Sequence, residues 1–123
     1  MGEFGAIETE EQGDVTVVSL VGEHDLLTGD VVRKQLGISA TSGRGLVVSL
    51  MKTTFFDSQI VHALFDAHHQ LGERNRKLVL HVATASIVRR VLDVSSLSDT
   101  VSCTGSIEEA IALAGKTHQE DNG

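Results

Sequence analysis

Asp57 and Ser58 are the residues of this 123-residue chain best placed to take part in chemistry. An apolar run, Leu46-Val47-Val48-Ser49-Leu50, leads towards them through Thr53-Thr54-Phe55-Phe56. A helical pattern leaves them, with Val61, Leu64, Phe65, His68 and Leu71 at three- and four-residue spacing. Asp57 suits the N-cap of that helix, which makes Ser58 its first residue. A hydroxyl there, on the rim of a sheet, is open to another protein. A phosphate on it would lie beside backbone N–H groups that a helix leaves unpaired. The chemistry this suits is phosphoryl acceptance, and it points to signalling rather than catalysis.

Other groups invite other chemistry. Asp25 and Asp57 could be read as paired carboxylates for acid–base work. No nucleophile–base pair or metal set accompanies them, so a small-molecule enzyme stands only as a lesser alternative. His62 and His69 share a helix face but lie about 10 Å apart along it, too far to chelate one ion. His68 and His69 diverge by about 100° around the axis. No metal site is expected. Cys103, in a short β-branched stretch, reads as a buried, inert thiol. Arg74, Arg76 and Lys77 read as a solvated turn, and Arg89 and Arg90 as the outer face of a helix. The chain has no glycine-rich phosphate loop, so no nucleotide or other cofactor is expected.

The elements that must position Asp57 and Ser58 follow from hydrophobic pattern. Ala6–Thr9 reads as a short edge strand and Val15–Val21 as a strong strand, ended by the turn Gly22-Glu23-His24-Asp25. A helix is expected from about Thr28, with Val31, Val32, Gln35 and Leu36 inward. After a loop at Thr41–Gly45 comes the strand Leu46–Leu50, then the helix opened by Asp57 and closed by Gly72 as a C′ glycine. Leu78–Val82 reads as a strand, Ala85–Val94 as a helix and Val101–Cys103 as a short strand. Ser106 and Glu109 form a capping box for the last helix, and His118–Gly123 is expected to fray. Strand–helix alternation implies an α/β fold with a largely parallel sheet and right-handed crossovers. One domain over residues 1–123 is expected, its core at about 6–115.

Composition narrows the partners. Seventeen carboxylates against ten Lys and Arg argue against nucleic acid, which needs a basic face. Four phenylalanines and no Trp or Tyr leave an aliphatic core and no stacking platform. A chain of this length buries roughly 65–70% of its unfolded surface, enough without staples. The single cysteine fits a reducing compartment, and no apolar run approaches the ~20 residues of a membrane span. With no signal peptide visible, a cytoplasmic protein without membrane contact is the expectation.

Several segments in order resemble the STAS domain of anti-sigma factor antagonists and sulfate transporters. They are Gly22-Glu23-His24-Asp25, Leu46–Ser58, Arg76-Lys77-Leu78-Val79-Leu80, Ile87-Val88-Arg89-Arg90-Val91-Leu92 and Ser106-Ile107-Glu108-Glu109-Ala110. The resemblance spans Thr16 to Leu113. It implies a mixed, mostly parallel sheet of four to five strands, with helices largely on one face. It also implies that Ser58 is a regulatory serine, phosphorylated by an anti-sigma factor that is itself an ATP-dependent serine kinase. The unphosphorylated antagonist would hold that kinase and free a sigma factor, and a phosphatase would reset the cycle. Gly22, Glu23, Asp25, Asp57, Ser58, Gln59 and Ile60 would make the partner-binding face. The alternative is a STAS-type scaffold or sensor that binds partners without phosphorylation. This chain departs from the family pattern at Ser49, Gln59, Ile60 and Ser96, where the family favours an acidic residue, Ser or Thr, Gly and Gly. Ile60 puts a branched side chain where a partner could otherwise approach the backbone.

Overall fold

The computed structural model describes residues 5–24 and 26–116, residues 26 and 27 by their backbone only. Asp25, one of the expected site residues, and the segment His118–Gly123 lie outside the described residues.

Strands β1 (Ala6–Gln12) and β2 (Val15–His24) form an antiparallel hairpin, turned at Gly13 with φ +62°. Then follow α1 (Leu26–Ala40), β3 (Gly45–Ser49), β4 (Thr53–Phe56), α2 (Ser58–Gly72) and β5 (Leu78–His81). The chain continues through α3 (Ile87–Val94), α4 (Leu97–Thr100), β6 (Ser102–Thr104) and α5 (Ile107–Ala114). The sheet runs β1-β2-β3-β5-β6, parallel from β2 onward, and β4 pairs in parallel with the far end of β2. The fold is therefore an α/β mixed sheet. It has six strands among the described residues, rather than the four to five expected from the sequence.

The β-branched runs become strands because both faces of the sheet are covered, which favours continuous apolar strands over alternating ones. Val18, Val48 and Leu80 lie side by side in register and face one way. There they meet Val32 and Leu36 of α1, Ile60 and Leu64 of α2, Val88 and Leu92 of α3, and Leu97 of α4. One residue earlier, Val17, Val47 and Val79 face the other way and meet Ala110 and Ala114 of α5. Period-two alternation thus divides one set of strands between two cores. Burying each Leu or Val in them is worth roughly 1.5–3 kcal/mol.

Several boundaries differ from expectation for local reasons. β1 runs to Gln12 because the hairpin lets every residue from Ala6 pair with β2. Val31 of α1 faces solvent, so the inner stripe is Val32 and Leu36. Gly72 is helical, and the left-handed residue that ends this region is Asn75 at φ +59°. The Arg76 guanidinium donates to the Asp14 carbonyl at 2.9 Å, so that basic turn is tied to the β1–β2 hairpin. The capping box is half formed. Ser106 Oγ accepts from the Glu109 N–H at 3.2 Å, but the Glu109 carboxylate takes the Thr104 hydroxyl, and Thr104 Oγ1 accepts the Ser106 N–H. The short α4 was not expected. Its N-cap is Ser96, held left-handed at φ 66° and making no side-chain cap bond.

Two substitutions test this packing in opposite directions. A Cβ at Gly45 would run into the carbonyl oxygen of Ala114, so Gly45→Ala should cost roughly 1–3 kcal/mol through overpacking. Ser96→Gly should stabilise by about 1 kcal/mol, because it relieves a left-handed residue that carries a Cβ. Urea melts read both. A neutral Gly45→Ala, or a destabilising Ser96→Gly, would contradict the account.

Candidate functional site: the β2–β4 edge and the α2–α3 groove

Gly22 organises the site. Its φ is +83°, and the register of β2 shifts between Gly22 and Glu23. A positive-φ glycine of this kind makes a bulge. Before it, Val15–Ser19 of β2 pair with β3; after it, Glu23 and His24 pair with Phe55 and Phe56 of β4. The expected strand-ending turn is thus a bulge inside a longer strand. Three hydrogen bonds fix the handover. Gly22 N–H donates to the Lys52 carbonyl at 2.9 Å, the Thr53 hydroxyl donates to the buried Leu20 carbonyl, and Asp57 N–H donates to the His24 carbonyl at 3.2 Å.

The last of these bonds sets where α2 starts. Asp57 is extended at φ −102°, and its carboxylate accepts the Gln59 N–H at 3.0 Å. It is the N-cap that its residue type promised. Ser58 is the first residue of α2 and is exposed. Glu23 is exposed on the neighbouring strand end, and Gln59 is half-buried. The Gln59 amide lies where a Cβ on Gly29 would be, so it packs across to α1. Gly22, Glu23, Asp57, Ser58 and Gln59 are therefore close together.

Ile60 is elsewhere. It is 0% exposed in the larger core, so it presents no branched side chain to a partner and supports the face from beneath. Ser49, at the end of β3, shares a hydrogen bond of 2.9 Å with His81 Nδ1 on β5, its partner in register. His24 is wholly buried, with ring contacts of 3.2 Å to Thr28 Oγ1 and to the Val21 carbonyl.

A groove of about 550 Å³ opens beside Ser58, between α2 and α3. Its apolar walls are Phe56, Val61, Phe65, Ile87, Val91 and Val94. Ser58, Asp57 and His62 border it from the α2 side and Arg90 from α3. Ile87 and Val94 are 79% and 81% exposed. Phe55 stands exposed on β4 near the same edge. Sequence reading missed Phe55 and the α3 wall. The available signal was a second apolar stripe, Ile87, Val91 and Val94, beside the core stripe Val88 and Leu92.

The arginines on α3 differ in state. Arg89 Nε donates to Asp93 Oδ1 at 3.0 Å, and the Ser98 hydroxyl donates to the same oxygen at 2.7 Å. Ser98 first and Arg89 second hold the Asp93 carboxyl below its usual range, and the Asp93 bond holds the Arg89 guanidinium above its own. Arg90 has no ion-pair partner among the described residues. Cys103 is half-buried and packs against the larger core. Burial pushes its thiol up, nearby Arg89 opposes that shift, and Asp93 adds to it. Among the described residues no three His, Cys, Asp or Glu side chains converge on a metal-sized site, and no helix is long and apolar enough to cross a membrane.

This fold and edge place the chain in a known family. It belongs to the STAS domain family, whose model matches residues 6–110. An anti-sigma factor antagonist from Mycobacterium paratuberculosis superposes with TM-score 0.80 at 21% identity, over 92% of this chain and 96% of that one. The Bacillus cell fate determinant SpoIIAA in its phosphorylated form gives 0.68 at 21% identity, over 87% and 97%. An anti-sigma-factor antagonist domain protein from Planctomyces limnophilus gives 0.71 at 17% identity, over 86% and 94%. Among curated proteins, none matches the sequence.

Two measurements probe the site's supports. Ile60→Ala should cost about 2–5 kcal/mol in urea melts, as expected for truncating a fully buried side chain. A loss below 0.5 kcal/mol, roughly a surface effect, would place Ile60 on the exterior instead. At neutral pH, Cys103 should react with iodoacetamide more slowly in the native protein than in the urea-unfolded chain, with its rate profile displaced to higher pH. Equal rates would refute the burial.

Proposed function

We propose that the chain is an anti-sigma factor antagonist. It binds an anti-sigma factor that has serine kinase activity and so releases a sigma factor; phosphorylation of Ser58 ends that complex. The observation that carries this reading is the exposed Ser58 at the first position of α2, beside a capping Asp57 and an apolar groove, in a STAS domain. Its relative in fold, SpoIIAA, is known in a phosphorylated form. The docking face comprises Gly22, Glu23, Asp25, Asp57, Ser58 and Gln59. The kinase supplies ATP and the catalytic groups. Ser58 Oγ forms the new bond to phosphorus, the γ-phosphoryl bond to ADP breaks, and the hydroxyl proton leaves to a base on the kinase. A phosphatase restores the hydroxyl. The chain itself catalyses nothing in this cycle.

Phosphate adds about −1.5 to −2 charges at neutral pH. The α2 N-terminus favours them by about 0.3–1 kcal/mol, so the domain stays folded. The cost falls on the complex, where the partner strips water from the charge.

Ser58→Ala should bind the cognate kinase and resist inactivation. Ser58→Asp should fold normally and bind more weakly, by about 2–5 kcal/mol where the carboxylate is covered without a partner. Mass spectrometry after incubation with kinase and ATP, alongside titrations of both variants, decides the matter. Phosphate on another residue, or equal affinity of the two variants, would refute the switch and leave a binding scaffold.

A further inference from the structure

The groove between α2 and α3 has a chemistry of its own, independent of phosphorylation at Ser58. Its volume of about 550 Å³ suits a small organic molecule. A sugar or peptide amide seated against the walls formed by Phe56, Val61, Phe65, Ile87, Val91 and Val94 would lose hydrogen bonds there, since the polar lining is limited to Asp57, Ser58, His62, Arg90 and Ser95. A flexible aliphatic chain loses none. Among the lining residues, Asp57 and Arg90 are the carboxylate and the guanidinium. Asp57 is engaged as the cap of α2, whereas the Arg90 guanidinium has no ion-pair partner among the described residues. A guanidinium takes a carboxylate through two parallel hydrogen bonds. Arg90 follows Ile87 by three residues and precedes Val94 by four, so all three share one side of α3.

We propose that this groove binds a monomeric medium-chain fatty acid, with the alkyl chain along the apolar walls and the carboxylate on Arg90. Arg89 cannot substitute, because Asp93 already holds it. The carboxylate repels Asp57, so the head lies on the α3 side of the groove and the tail reaches past Val61 and Phe65. A bound acid would cover the apolar surface next to Ser58 and so report an amphiphile to whatever docks there.

The test is a titration of the full chain with octanoate, decanoate and dodecanoate below their micelle concentrations, followed by backbone amide NMR. Saturable one-to-one binding is expected, with shifts confined to the end of β4 at Phe56, the first two turns of α2, and α3 with Ser95 after it. Affinity should rise with length, by up to about fourfold for each methylene buried. Arg90→Gln should weaken decanoate roughly tenfold, the scale of one charge-assisted contact, and leave 1-decanol unchanged. Val94→Asp, at an exposed position that leaves the core intact, should abolish binding of both while circular dichroism stays the same. No saturable binding, undiminished decanoate affinity in Arg90→Gln, or shifts outside the groove would overturn the proposal. Association with phosphatidylglycerol vesicles but not with the monomeric acids would overturn it too, in favour of a lipid surface. Neither kinase nor ATP is present, so the result stands apart from the fate of the Ser58 switch.

Discussion

The bulge at Gly22 is the constraint on which the rest of the site depends. A strand of ten residues cannot keep one straight ladder with β3, which is only half as long. At Gly22 the backbone enters a region that costs an L-residue about 1–2 kcal/mol, and β2 changes partner from β3 to β4. That change carries the His24 carbonyl to the Asp57 N–H and so fixes where α2 can begin. The position of the Ser58 hydroxyl is therefore set by a glycine 36 residues earlier in the chain, through backbone pairing together with the bond from the Thr53 hydroxyl.

The two faces of the sheet serve different ends. Below, α5 lies close, with alanines against the strands and its last carbonyl over Gly45. Small residues there give close approach and leave little that can open. Above, larger side chains keep α2 and α3 apart at the surface while Val88, Leu92, Ile60 and Leu64 join beneath them. The groove is what remains between helices that share a core but not an outer face. Ile60 lies wholly in the core, and Val61 beside it belongs to the same core while also lining the groove.

This division explains what the sequence could and could not disclose. Strands β2, β3 and β5 were legible because each is a largely apolar run buried on both faces, a pattern no surface element shares. Asp57 was legible as a cap because capping is local chemistry. β4 was not legible as a strand. Its four residues have ends buried and middle exposed, and they pair only because a bulge elsewhere presents an edge. The same bulge made Gly22–Asp25 read as a turn. α2 ends at Gly72 as its sequence promised, but Gly72 is the last helical residue rather than a left-handed C′ glycine, and the left-handed conformation falls on Asn75. Ile60 was misplaced for a similar reason: the family pattern set an expectation for its backbone, while its burial depends on where α2 meets α1 and the sheet. The groove could not be read from either helix alone, because exposed apolar residues on α3 gain meaning only beside α2.

Electrostatics then decides how such an edge can act. Glu23 and Asp57 already make the edge acidic, and both meet water, where charges beyond about 8 Å are screened at physiological salt. Another negative group at Ser58 is tolerable under those conditions, helped by the free N–H groups at the start of α2. A partner that covers the edge removes the screening for all of these carboxylates together. The same charge that the isolated domain accepts at little cost becomes expensive in a complex, because desolvation and repulsion both grow as water leaves. Sensitivity to charge therefore belongs to the covered state. In the proposed complex, a charge at Ser58 would therefore act on the contact with the partner rather than on the fold.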